Sequence, residues 1–108
     1  MNYKNLNEVI NYIEVHLDTK IDCKEMSKIV GLSEYSLQRI FMLLANMSLT
    51  EYIRQRRLSK ALEDLKNSNM KIIDIAFKYN YNSSISFSRA FKQYFGVTPS
   101  ECRKNNKK

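Results

Sequence analysis

Residues 37–51 read LQRIFMLLANMSLTE and residues 87–101 read FSRAFKQYFGVTPSE. Leu37, Arg39, Phe41, Asn46, Met47, Ser48 and Glu51 answer to Phe87, Arg89, Phe91, Gly96, Val97, Thr98 and Glu101, each fifty residues on. Upstream the register shortens by one residue. Met26-Ser27 pairs with Ile75-Ala76, and Gly31-Leu32-Ser33 with Asn80-Tyr81-Asn82, at a spacing of 49. Each copy thus holds a short apolar segment, a turn position tolerant of positive φ, a capped helix with a basic residue, and a second stop. That order predicts a helix-turn-helix twice over. A single short αα-corner would be a weak signal; two in register, each followed by a basic helix, are a strong one.

Working outward, the remaining pattern is helical throughout. Leu6, Val9, Ile10, Ile13 and Leu17 make one apolar stripe, with Asn5 and Glu8 as a start signal. Asp22 and Glu25 open a short helix carrying Met26, Ile29 and Val30, which Gly31 ends. Ser33 caps a helix with Leu37, Ile40, Phe41 and Leu44 inward, and Asn46 stops it. Ser48 and Glu51 start a long helix with Leu49, Tyr52, Ile53, Ala61, Leu62 and Leu65 as core positions, ended by Asn67-Ser68-Asn69. Ile72, Ile75 and Ala76 belong to a further short helix. Ser83 caps the helix of Phe87, Ala90, Phe91, Tyr94 and Phe95, closed by Gly96. Thr98-Pro99-Ser100-Glu101 is the sharpest start in the chain: a capping threonine, proline at the first helical position and glutamate at the third. The reading is all-α, about seven helices and no strand, in homeodomain-like units. It divides into a first helix-turn-helix over 5–48, a linker helix over 49–67, a second helix-turn-helix over 68–103, and a frayed basic tail over 104–108.

Composition narrows the function. The 108 residues carry 18 Lys and Arg against 11 Asp and Glu, a net charge of +7 that favours a polyanionic partner. Two glycines and one proline suit helices. No apolar run approaches the ~18 residues of a membrane span, and nothing resembles a secretory signal, so the expectation is a cytoplasmic protein with no membrane partner. Cys23, Cys102 and the sole histidine, His16, are too few and too scattered for a zinc site. No metal or other cofactor is expected, and the two thiols read as reduced structural residues.

A recognition helix enters a groove about 12 Å wide, and its exposed face is what remains after the buried one is subtracted. In the first copy that leaves Glu34, Tyr35, Ser36, Gln38, Arg39 and Met42. Gln38 and Arg39 are the side chains that read adenine and guanine edges at two points. Tyr35 precedes Arg39 by one turn and shares its surface. In the second copy the face is Ser84, Ile85, Ser86, Ser88, Arg89 and Lys92. Arg89 takes the place of Arg39, and Ile85 suits a thymine methyl, although burial against the domain would explain it as well. Ser36, Ser88 and Lys92 on these faces, with Arg54 and Arg57 on the long helix, are candidate phosphate contacts; a solubilising face is the plain alternative. Roughly 18 residues at 1.5 Å each give the long helix about 27 Å. Successive major-groove openings lie ~34 Å apart, so such a helix could space two readers by one turn of duplex.

These segments together resemble the AraC/XylS family of bacterial transcription regulators. The resemblance is carried by Gln38-Arg39-Ile40-Phe41, Tyr52-Ile53-Arg54, Arg57-Leu58, Ile75-Ala76, Phe87-Ser88-Arg89-Ala90-Phe91-Lys92, and Phe95 through Arg103. It implies two helix-turn-helix subdomains that read adjacent major-groove segments of double-stranded DNA as an unsymmetrical site, the unit acting as a monomer. It places base contacts on Tyr35, Gln38 and Arg39, and on Ser84, Ile85, Ser86 and Arg89. Asn46 and Asn80 stand where the family favours glycine, and Cys102 where it favours an aromatic. RNA polymerase becomes a partner if the protein activates, though no residue announces a surface for it. A non-specific nucleic-acid-binding or packaging protein is the alternative, with steep salt dependence and little sequence preference. An alkyl-transfer enzyme would need an activated cysteine, which neither thiol has in sequence; no enzymatic role is expected.

Overall fold

Among the described residues, four in left-handed backbone punctuate the chain, and they fall in the two pairs the repeat requires. Gly31 (φ 70°) and Asn80 (φ 71°) make the helix-turn-helix turns; Asn46 (φ 58°) and Gly96 (φ 84°) end the helices that follow. Each copy therefore uses one glycine and one asparagine, the two residue types that reach this region at least strain. The computed structural model describes residues 3–106, and these form seven helices and no strand. They are α1 (Tyr3–Val15), α2 (Cys23–Val30), α3 (Glu34–Ala45), α4 (Leu49–Asn67), α5 (Ile72–Lys78), α6 (Ser84–Phe95) and α7 (Pro99–Asn106). Two compact units divide the chain, Met1–Arg56 and Arg57–Lys108, so the boundary falls inside α4. The linker helix is thus shared between the units, its first half belonging to one and its second half to the other.

The duplication extends to individual hydrogen bonds. After α2, Leu32 N–H donates to the Ser27 carbonyl at 3.0 Å; after α5, Tyr81 N–H donates to the Ala76 carbonyl at 2.9 Å. Ser33 Oγ accepts from Ser36 N–H at 3.1 Å to start α3, and Ser83 Oγ from Ser86 N–H at 3.1 Å to start α6. Asn46 N–H reaches the Met42 carbonyl at 2.9 Å, and Gly96 N–H the Lys92 carbonyl at 2.7 Å. Ser48 Oγ and Thr98 Oγ1 accept from the third residue of the next helix, both at 3.1 Å. At the starts of α3, α4, α6 and α7 an orphaned donor is thereby met by the residue that the sequence marks as a cap.

In the first unit α1 lays Leu6, Val9 and Ile13 onto α2, and α2 packs on α3. Met26, Leu37, Phe41 and Leu49 complete the interior, and Tyr52 meets Phe41 edge-on at 5.7 Å. Ser27 is buried at the helix crossing, its hydroxyl donating to the Lys24 carbonyl at 2.7 Å. Its counterpart Ala76 is buried too, because the crossing admits only a small side chain. Arg56 grips Glu14 with two nitrogens, at 2.7 Å and 3.1 Å, tying α4 to α1.

The second unit is built on Leu58, Ala61 and Leu65 of α4, Ile75, Ala76 and Tyr79, and an aromatic row on α6. Phe87 meets Tyr81 edge-on at 5.4 Å and Phe91 at 5.8 Å; Phe91 meets Phe95 at 4.7 Å. Asp64 accepts from the Tyr79 hydroxyl at 2.7 Å and from Lys78 at 2.9 Å, joining α4 to α5. Arg103 of α7 closes the unit. Its guanidinium donates to the carbonyls of Leu65 at 3.1 Å, Ser68 at 3.2 Å and Met70 at 2.5 Å. A helix C-terminus presents carbonyls that lack intrahelical donors and carry partial negative charge, and a planar cation with five N–H groups matches them.

Three sequence expectations require correction. Helix α1 already includes Tyr3, so Asn5 lies within its first turn and is not its cap. Tyr94 is 41% exposed rather than core, resting edge-on against Phe95. The basic tail expected to fray from 104 continues α7 as far as Asn106, because Arg103 anchors that helix to the end of α4; Lys107 and Lys108 lie outside the described residues.

The start of α7 is a reciprocal box, with Glu101 N–H donating to Thr98 Oγ1 and Thr98 N–H to Glu101 Oε1 at 3.0 Å. The Thr98 backbone and hydroxyl hold the Glu101 carboxyl below its ordinary pKa of 4.5, with Lys92 adding to the effect. A depressed folded pKa means the stabilisation is present above 4.5 and is lost as pH falls through the folded value. Protection factors of α7 amides, each referred to intrinsic exchange at the same pH, should therefore fall below about pH 4.5, and Glu101→Ala should remove that acid step; an α7 equally protected at pH 3 would contradict it.

Candidate nucleic-acid interface

Capping by Ser33 fixes where α3 begins, and its buried stripe, Leu37 and Phe41, fixes which way it faces. The opposite side presents Tyr35, 69% exposed, with Gln38 and Arg39 also in the open. These side chains are held rather than loose. Arg39 donates to the Tyr35 hydroxyl at 3.4 Å while its guanidinium carbon lies 5.7 Å from that ring's centroid. Gln38 Nε2 donates to Cys23 Sγ at 3.7 Å. An open groove of about 420 Å³ runs beside them, walled by Tyr35, Gln38, Arg39, Met42 and Leu43 of α3 and by Ser48, Leu49 and Thr50. The structure thus brings Tyr35, Gln38 and Arg39 onto one surface, as the elimination of buried positions required. Ser36 is half-buried beside the cap.

On α6, Phe87 and Phe91 face inward, leaving Ile85 70% exposed with Arg89 and Lys92 open. The burial alternative for Ile85 is therefore removed. Ser84 and Ser88 are half-buried. Ser86 is already engaged: its hydroxyl donates to the Ser83 carbonyl at 3.1 Å and accepts from Ser83 Oγ at 3.0 Å. To address a base it would have to leave that cap.

The candidate phosphate contacts on α4 differ among themselves. Arg54 is half-buried, with its side chain 39% exposed, and pairs with Glu51 at a long 3.9 Å. Arg57 is half-buried; desolvation pushes its guanidinium pKa down and the Tyr81 phenol pulls it back up. Its basic neighbour Arg56 serves the fold through Glu14.

Sequence reasoning passed over Cys23 as a neighbour of this surface and gave Glu34, on the exposed face, no role. Cys23 lies fifteen residues before Gln38, a separation with no periodic signature, and only the packing of α2 against α3 brings the two together. Leu43, 76% exposed, also went unassigned, since only Leu44 falls on the inward stripe. Among the described residues no group of three or more His, Cys, Asp or Glu could hold a metal ion, and no helix is long and apolar enough to cross a membrane.

The sequence profile of a family described as a helix-turn-helix domain matches residues 26–105, from α2 through α7. The chain belongs to the AraC/XylS family. The HTH-type transcriptional activator AarP of Providencia stuartii is 37% identical over 95 residues, covering 88% of this chain and 70% of that protein. The fold is that of AraC-type domains. A transcriptional regulator with an AraC-type DNA-binding domain from Chromobacterium violaceum superposes with a TM-score of 0.90, at 23% identity, covering 98% of this chain and 95% of the other. The DNA-binding domain of AdpA, solved in complex with a target DNA, gives 0.84 at 20% identity, covering 94% and 91%.

Proposed function

We propose that this AraC/XylS-type chain is a sequence-specific DNA-binding transcription regulator that reads two adjacent major-groove segments, one with each recognition helix. The single observation that carries the reading is the matched pair of exposed arginines, Arg39 on α3 and Arg89 on α6, each on the outward face of a helix-turn-helix. In the first segment Tyr35, Gln38 and Arg39 contact bases; in the second Arg89 contacts a base, Ile85 meets a thymine methyl, and Ser84 and Ser86 add smaller contacts. Ser36, Ser88, Lys92, Arg54 and Arg57 contact phosphates. Of the sites proposed, Ser86 and Arg57 require the largest rearrangement, given the cap of the one and the burial of the other.

Double-stranded DNA is the partner, a reading supported by the AdpA domain's having been solved with a target DNA, and the unit binds as a monomer because its two unlike readers make an unsymmetrical site. RNA polymerase is the second partner if the chain activates as AarP is named to do. The setting is the cytoplasm. No catalytic step is assigned: burial and the neighbouring carboxylates raise the Cys23 pKa, opposite to what a nucleophilic thiolate needs.

The test is selection of bound duplexes from a random pool, followed by competition between the selected duplex and random DNA at fixed salt. Enrichment of a two-part unsymmetrical site, with random DNA competing about a thousandfold less well, is expected. Uniform competition would point to the charge-driven, non-specific alternative.

A further inference from the structure

A thiol has one proton to give and a sulfur that accepts weakly, and at Cys23 the sulfur accepts from Gln38. The first residue of α2, it lies half-buried beneath the start of α3. Burial and the neighbouring Glu34 carboxylate raise the pKa of the thiol, which keeps its proton. Gln38 Nε2 approaches the sulfur from one turn further along α3, at 3.7 Å. With that proton attracted by the Glu34 carboxylate, the sulfur turns lone pairs to Gln38, whose Nε2 faces it. The amide nitrogen can face it; the amide oxygen would meet lone pair against lone pair.

We propose that Cys23 is a positioning residue for base reading: its sulfur fixes the Gln38 amide with Nε2 towards α2, so that Oε1 forms the outward edge. In the major groove only adenine N6 and cytosine N4 offer a donor to such an oxygen, whereas guanine O6 and thymine O4 are acceptors. The second hydrogen of Nε2 remains for adenine N7, which makes adenine the preferred base. The first unit therefore discriminates amino-bearing from keto-bearing bases through a residue that touches no DNA. This inference rests on the proposed reading of a base by Gln38.

The experiment uses the whole chain and four duplexes differing at the one base pair whose preference Gln38→Ala abolishes. Binding is followed by fluorescence anisotropy at fixed salt. The native chain should prefer adenine over guanine there by about tenfold or more. Cys23→Ala and Cys23→Val should reduce that ratio by at least about threefold, while affinity for the best duplex and preference at the Arg39 base change by less than about twofold. Cys23→Ser, which keeps a donor and an acceptor, should restore the ratio. Glu34→Ala should lower it without touching the thiol, because with no acceptor at 34 the S–H is free to turn towards Oε1. In a Gln38→Ala background, Cys23→Ala should add nothing.

If Cys23→Ala and Glu34→Ala both keep the native ratio while Gln38→Ala abolishes it, the positioning role is wrong and the base reading stands. Equal loss of affinity for all four duplexes on Cys23→Ala would reduce the residue to packing and likewise overturn the proposal. If Gln38→Ala alters preference at no base pair, the reading by Gln38 fails and takes this inference with it.

Discussion

Arg39→Ala should weaken binding to the selected duplex by ~1–3 kcal/mol and flatten base preference in one half of the site only. The magnitude follows from a guanidinium bonding a guanine O6 and N7 together, a contact that a methyl group cannot replace. Tyr35 supports the prediction, because a side chain already stacked and hydrogen-bonded beneath the arginine reduces the rotamer freedom lost on binding. Arg89→Ala should do the same in the other half, and footprints of the two variants should lose protection over different base pairs. Lys92→Ala, exposed beside Arg89, should instead weaken all sequences alike and lower the salt slope by about one. Equal losses on every sequence for Arg39→Ala would make that arginine a phosphate contact. Footprint changes mapping to the same bases would end the two-reader scheme.

Phe87→Ala should lower the unfolding free energy by ~3–5 kcal/mol in urea titrations. The side chain is fully buried and forms the hub of the second unit's aromatic row, touching Tyr81 of the turn and Phe91 of the next helical turn. Removing it deletes transfer free energy and leaves a cavity bounded by rigid rings that cannot collapse into it. Amide exchange should show the loss first in α5 to α7. Its counterpart in the first copy, Leu37, is equally buried, and Leu37→Ala should cost about 2–5 kcal/mol. A change below about 1 kcal/mol for Phe87→Ala would mean that this core is loosely packed.

Most of the architecture was legible because it is written in short-range chemistry. Caps at Ser33, Ser48, Ser83 and Thr98 announce themselves by residue type and spacing, as do the left-handed stops at Gly31, Asn46, Asn80 and Gly96. The surfaces carrying Tyr35, Gln38, Arg39, Ile85 and Arg89 followed by subtracting apolar stripes whose period is fixed by the helix. What stayed hidden depends on partners remote in the chain. Leu58 and Tyr79 are buried without standing out in the pattern, Leu58 amid the charged run of α4 and Tyr79 beside Lys78. Nothing in the pattern marks Arg56 or Arg103 as structural, yet one clasps Glu14 and the other a set of carbonyls more than thirty residues away. Charge counts cannot separate an arginine that binds its own backbone from one that awaits DNA. The engagement of Ser86 in its own cap was equally invisible, since a serine at that position fits either role.

The clasp made by Arg103 gives the two halves unequal histories on the ribosome. Everything the first unit needs has been translated once Arg56 is in place, whereas the second stays open until synthesis passes Arg103 and the carbonyls of Leu65, Ser68 and Met70 find their donor. A nascent chain therefore has its earlier reader ready while the later one is still incomplete.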